Sequence, residues 1–516
     1  MTSLPLHSLL DKASPPASFA ETQRDPEEQD ASLGLSSASK DYLAQLPAVL
    51  EDISTLLRNT PRDVLGEGSM VQVLSVCGRL QRPTDPWSST IIAAQAHRIL
   101  LTLAHDSSSI QSFVDPYIHQ IIAQSLRPAF LHTMHPSIHP LTGRRVPWPK
   151  EKPSTFSMDQ AWKDQYPGTT TLLEWVIDHL TPETLQNDLG SLLPMILTLL
   201  EDWEARFVLR ALHILQHVLT LISPDLLVQR GIDLVLHQSL RSTCAYRSGS
   251  VHGPSILQTS VSLSLQCLSR ARPLHPEDVW FRGVDSLYRR AILDNALFIG
   301  YDTNAQLALL VSMEQCITAL DLPSIKYEKR SLTLLKDILD HASPPLLSPL
   351  FATLNTLLQV GYPRISTYAP LLFHLLTRGW LLLDKAQETL PLPRQIILHT
   401  SSLLHALSPD LWKSAMDEAC RVQPILFTSL CQDTLLCLDA SSIPLLSSYF
   451  TQIHLGPTVI IQRQACATHP PRRSKPMFLS EKLYGELQET WLHQRIPQLI
   501  ARKIEQDYDI GGWTTF

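Results

Sequence analysis

The sequence predicts an all-α chain, an α-solenoid of HEAT/armadillo-like helical pairs, and three observations lead to that fold class. Apolar residues recur at helical spacing, as in Val208, Leu212, Leu215 and Leu219, which fall at i, i+4, i+7 and i+11. Glycine is scarce and proline abundant, 18 against 38 in 516 residues, so left-handed turns and tight hairpins are few while helix starts and stops are many. Breaks such as His341-Ala342-Ser343-Pro344-Pro345, Gly361-Tyr362-Pro363, Leu390-Pro391-Leu392-Pro393 and Ser408-Pro409-Asp410 set a pitch of about 40–50 residues per helix pair, which suits HEAT or armadillo units. Period-2 runs bounded by glycine are nearly absent, so little or no strand is expected.

Taken in chain order, residues 1–40 mix Ser, Pro, Glu and Asp and read as a disordered N-terminal tail. Residues 41–131 hold the first helical repeats, with segments Asp41–Arg58, Asp63–Leu80, Trp87–Ala104 and Phe113–Leu126. Residues 132–170, rich in Trp, Pro and His, are too polar and too often broken by proline to continue the helices, and read as an irregular loop. Residues 171–506 form the HEAT-like solenoid proper. Its best pair runs from Leu192 through Pro194 and the Glu201-Asp202 turn into Val208, Arg210 and Leu219, where Asp202 is placed to cap the second helix. Further stripes are Leu309, Met313, Cys316 and Leu320, then Leu350, Leu354 and Leu357, and finally Leu492, Ile496 and Leu499 in a last helix over 480–506 that Pro497 should kink. Residues 507–516 read as a loose C-terminal tail.

The same composition bounds function. Charged residues make up only 18% of the chain, below the usual ~25%, so much helix surface must be buried or face a partner. The net charge of −7 and the lack of a basic stripe argue against direct nucleic-acid binding. No uncharged apolar run reaches the ~18 residues of a membrane span. The eight cysteines are scattered without C-x-x-C spacing and read as reduced core thiols of a cytoplasmic and nuclear protein.

Candidate chemistry is sparse. No Walker loop, G-x-G-x-x-G, G-x-S-x-G or H-E-x-x-H occurs. His132, His135 and His139 are the best metal candidate, but Pro136 disfavours the helix that would align them and no Cys or paired carboxylate stands beside them, so no metal is expected. Arg144-Arg145 with Trp148, Lys150 and Lys152 is a short basic-aromatic patch, readable as a dock for an acidic segment or nucleic acid, or as a solvated loop whose Trp residues pack onto the solenoid. One such patch in an acidic chain favours the loop over nucleic acid, and a protein partner stays open. Cys431 and Cys437 read as core thiols, Ser248–Gly253 as an ordinary loop, and Glu201, Asp202 and Glu204 as capping carboxylates rather than a catalytic pair. No catalytic residue and no cofactor is assigned.

A set of motifs in fixed order adds to this. His135-Pro136-Ser137 through Thr142-Gly143-Arg144-Arg145 is followed by Gln160-Ala161-Trp162-Lys163 and Leu172-Leu173-Glu174-Trp175. Then come Leu197-Thr198-Leu199-Leu200-Glu201-Asp202-Trp203-Glu204 and Arg230-Gly231-Ile232-Asp233. This order resembles the core signature of the Tel-two-interacting protein two family. Glu201 stands where the family has Asp, Trp203 where it has Tyr, and Ala211 where Gly is usual. The resemblance implies a non-enzymatic scaffold subunit of the TTT complex, joining Tti-one-like and Tel-two-like proteins and working with the Hsp-ninety chaperone system. Its implied clients are phosphatidylinositol-3-kinase-related kinases such as ATM, ATR and TOR, and its implied settings are the DNA damage checkpoint and TOR signalling. Within that reading Trp203, Arg206 and Arg210 are the candidate partner-binding residues. The alternative is a generic HEAT-repeat adaptor in transport or trafficking, for which a ladder of Asn, Arg or acidic residues at equivalent repeat positions is the missing mark.

Overall fold

A computed structural model describes residues 3–19, 35–61, 64–131, 133–147, 160–245, 250–361, 364–385 and 391–439. Among these the chain is helical apart from its turns and loops, with one isolated bridge, Ile138 to Arg145, and no named strand. It divides into two units, residues 1–298 and 299–516.

The first unit begins with α1 (Ser3–Ala13), α2 (Ser37–Asn59), α3 (Glu67–Arg79) and α4 (Thr90–Leu103). Side-chain caps start two of them: Ser36 accepts from the amide of Ser39, and Ser89 from that of Ile92. α5 (Ile110–Ile121) opens on a Ser109/Ser112 capping box and loosens into a π turn at Ile122–Leu126. The turn ends just before Pro128, which cannot donate a backbone hydrogen bond, and the short α6 (Arg127–Phe130) follows. Then come α7 (Ala161–Asp164), α8 (Thr169–Asp178), α9 (Pro182–Leu200), α10 (Ala205–Leu221), α11 (Pro224–Gln229), α12 (Ile232–Thr243) and α13 (Gly253–Ala271). α14 (Glu277–Leu287) passes into a second π turn at Tyr288–Asp294, and α15 (Ala296–Ile299) follows.

The reading of residues 1–40 as a disordered tail is corrected at its start. α1 packs on α2 and α3, and Leu6, Leu10, Ala13 and Phe19 are buried in the same core as the repeats. Phe19 meets Tyr42 and Trp87 edge-on, and the Tyr42 hydroxyl donates to the carbonyl of Ala13. Three apolar side chains on a short amphipathic helix, with Phe19 in the turn after it, outweigh the polar composition around them.

The second unit comprises α16 (Thr303–Leu320), α17 (Glu328–Asp340), α18 (Pro344–Gly361), α19 (Ile365–Lys385), α20 (Pro391–Leu407), α21 (Pro409–Val422) and α22 (Pro424–Asp439). α16, α18, α20 and α22 pack in one row and α17, α19 and α21 in another, so helices two apart in sequence are neighbours. That alternation is how a solenoid buries helices whose apolar stripes cannot be satisfied alone. The stripes Leu309, Met313, Cys316, Leu320 and Leu350, Leu354, Leu357 are buried as their spacing predicts. Gly379 admits the ring of Phe351, since a Cβ there would lie 2.2 Å from Phe351 Cζ. The expected last helix over 480–506, its Pro497 and the tail 507–516 lie outside the described residues.

Candidate interaction site

The segments that carry the family resemblance are far apart in sequence and meet in the first unit. α7 is a single helical turn, and its Trp162 is buried between Phe130, stacked with ring centroids 5.6 Å apart, and Phe207, edge-on at 4.9 Å. The next residue, Lys163, is also buried. Its ammonium donates to Asp202 Oδ1 at 2.8 Å and to Glu204 Oε1 at 2.7 Å. It lies 4.9–5.1 Å from the ring centres of Phe207, Trp162 and Trp203. Arg206 closes the group with a forked donation, Nη2 at 2.7 Å and Nε at 3.0 Å, to Glu204 Oε2. Burial pushes the Glu204 carboxyl above its ordinary range, and the pull of Lys163 and Arg206 opposes that shift without cancelling it.

The turn between α9 and α10 is thus inverted relative to ordinary polarity. Its carboxylates Asp202 and Glu204 point inward, while Trp203 between them is 57% exposed. The capping expectation is corrected here. Asp202 Oδ1 accepts from the amide of Glu204, inside the turn, and α10 follows its N-cap residue Glu204 with no side-chain cap. The acidic residues neutralise Lys163 instead.

Behind the turn, Arg210 Nη2 donates to Asp85 Oδ1 at 2.6 Å and Nη1 to Thr171 at 3.1 Å; the Thr171 hydroxyl in turn donates to Asp85 Oδ2. Arg82 pairs with Glu174 at 2.7 Å, and Glu174 stands 3.8 Å from Arg210 Nε. This network ties α10 to α8 and to the connection between α3 and α4.

The loop before α7 packs over α9. Its buried His135 accepts the Ser137 amide on Nδ1 and places Nε2 3.1 Å from Glu201 Oε1. The His139 amide donates to the Arg144 carbonyl and the Gly143 amide to the His139 carbonyl, at 2.9 and 2.8 Å. Gly143 has φ +63°, and the loop presses so closely on α9 that a Cβ on Gly190 would lie 2.7 Å from Pro140 O. The Arg145 amide then donates to the Arg230 carbonyl at 2.9 Å, which brings in the last motif.

Of the three candidate partner-binding residues, Trp203 is the most exposed, Arg206 is partly buried against Glu204 and the Phe207 ring, and Arg210 is engaged inside by Asp85. His135 and His139 are not brought together as ligands: His139 accepts from the Thr142 amide and His135 faces Glu201, while His132 lies outside the described residues. Among the described residues no three His, Cys, Asp or Glu side chains converge as a metal would require, and no helix is long and apolar enough to cross a membrane. Cys431 Sγ lies 3.8 Å from Cys420 Sγ; the Cys437 side chain is outside the described set, as are Ser248 and Gly249 of the Ser248–Gly253 loop. Sequence reading missed Asp85, because its partner Arg210 stands 125 positions away and no local pattern announces such a pair.

The model of the Tti2 family matches residues 73–343, a little over half of the chain, and spans every motif of this site. No curated protein and no solved structure matches the chain.

Proposed function

The chain belongs to the Tti2 family, and on that premise we propose that it is a non-enzymatic scaffold subunit of the TTT co-chaperone complex. In this reading it binds a Tti-one-like large solenoid directly and a Tel-two-like protein within the same assembly. The assembly supports Hsp-ninety-dependent maturation and stability of phosphatidylinositol-3-kinase-related kinases, in the cytoplasm and the nucleus. The family match is the observation that carries the reading. The inverted α9–α10 turn supports it, because a large aromatic held outward by a rigid, neutralised base is the kind of anchor that protein interfaces favour. Trp203 is the proposed contact, with Arg206 three positions on; Arg210 is proposed to act by ordering the turn from within.

The test is co-expression. The chain is expected to be poorly soluble alone and to co-purify, soluble, with a larger helical partner, and Trp203→Ala is expected to weaken that association while leaving the helical circular dichroism intact. A monodisperse, well-behaved chain that captures no such partner would rule the scaffold reading out.

A further inference from the structure

We infer that Arg144, Arg145 and Arg230 form one recognition surface for a carboxylate-rich segment of a partner protein. This deepens the scaffold reading and rests on it only in taking the partner to be a protein.

The arrangement joins residues 85 positions apart. The Arg145 amide donates to the Arg230 carbonyl at 2.9 Å, so the two backbones run side by side. The Arg230 guanidinium lies against the Gly143 turn, where a Cβ would come within 2.9 Å of Nη1. Gly231, at φ +67°, lets the α11–α12 corner approach the Arg145 side chain, since a Cβ there would lie only 3.3 Å from Arg145 Cβ. Arg144 and Arg145 are exposed and Arg230 is half-buried. None of the three has an ion pair with a carboxylate among the described residues. The charge acting on Arg230 is another cation: burial and then Arg144 both disfavour its protonated form. Like charges held together without a counter-ion are a standing electrostatic cost that an incoming anion relieves.

The platform is rigid as well as charged. Gly143 sits on Gly190 with no room for side chains between them, and the Thr198 hydroxyl donates to the Thr133 carbonyl at 2.6 Å, pinning the start of the loop to α9. Leu141, 77% exposed, stands at the tip of the same loop and offers an apolar contact beside the charges.

Carboxylate fits better than a phosphate backbone. The planar guanidinium fork matches a carboxylate in two parallel hydrogen bonds. Three arginines neutralise too few phosphates to hold a nucleic acid against the repulsion of a chain with net charge −7.

The experiment is fluorescence anisotropy with the full chain and a short fluorescein-labelled oligo-glutamate peptide, at low and physiological salt. The wild type is expected to bind, more weakly as salt rises. Arg144→Gln/Arg145→Gln, both on exposed side chains, should lose about tenfold or more in affinity with unchanged circular dichroism, and adding Arg230→Gln should lose more. Arg282→Gln, which removes the exposed pair with Asp278, should bind as the wild type does. Absence of binding, equal binding by the double variant, or an oligothymidylate of equal charge displacing the peptide would each overturn the inference. Failure of the scaffold reading is separable: it appears as failure to capture a larger partner, whatever the peptide does.

Discussion

Replacing Lys163 by methionine tests whether the inverted turn is held by charge neutralisation. Lys163 is the cation between two carboxylates, at 2.8 and 2.7 Å, and the three side chains are 8%, 1% and 3% exposed. Methionine keeps the aliphatic stem against Trp162 and Phe207 but removes the ammonium. Glu204 retains Arg206, whereas Asp202 loses a charged partner in a place water cannot reach. Taking one member from a buried pair costs about 3–5 kcal/mol, against about 1 kcal/mol or less for an exposed pair. The first unit is therefore expected to lose about 3–5 kcal/mol in urea denaturation followed by tryptophan fluorescence and far-ultraviolet circular dichroism. The distinguishing measurement is the second variant. Asp202→Asn added to Lys163→Met removes the buried carboxylate that faced the ammonium and should recover at least about half of the loss, whereas two independent truncations would simply add. A loss below about 1 kcal/mol for Lys163→Met, or a further loss on adding Asp202→Asn, would refute the argument.

Three other outcomes follow from the same structure. Leu10→Ala should cost about 2–5 kcal/mol, a core penalty, and a thermal melt no different from wild type would mean that α1 is not part of the core. Gly190→Val should cost about 1–3 kcal/mol and speed amide exchange at Gly143 and Arg145, because its Cβ meets the backbone of Pro140 and Gly143 at 2.7 and 2.9 Å; unchanged exchange would dismiss the close-approach argument. Burial pushes the Glu328 carboxyl from 4.5 up to about 7, with Arg364 opposing more weakly, and Glu328 Oε2 has no hydrogen-bond partner among the described residues. A folded-state pKa above the unfolded one favours the folded state fully below about pH 4.5, and that contribution is lost as pH rises to about 7. Glu328→Gln should therefore be the more stable chain at pH 8, by about 1–3 kcal/mol, with the difference gone near pH 4. Parallel stability profiles for the two chains would contradict the burial argument.

Much of the fold was legible because its causes are local. Proline at Pro344, Pro391 and Pro409 opens α18, α20 and α21 where the breaks predict, since a ring that cannot donate is harmless in the first turn and costly later. The stripe of Val208, Leu212, Leu215 and Leu219 is buried as written, because 3.6-residue periodicity needs no knowledge of neighbours. α1 was misread for the converse reason: its surroundings are polar, and only packing on α2 and α3 shows that Leu6 and Leu10 belong to the core.

The site divides along the same line. Sequence alone determined the helical class and the buried tendency of the apolar stripes, which depend on residues within a few turns of one another, and the motif order, which is read along the chain without knowing what meets in space. The tertiary structure alone decided that Asp202 and Glu204 neutralise Lys163 instead of capping α10, that Arg210 belongs to Asp85, and that Arg230 joins Arg144 and Arg145. A charge declares its partner only when burial makes leaving it unpaired too costly, and burial is a property of the folded chain. The tryptophan that the pattern placed at a turn is held outward for that same reason: the charges beside it took the inside.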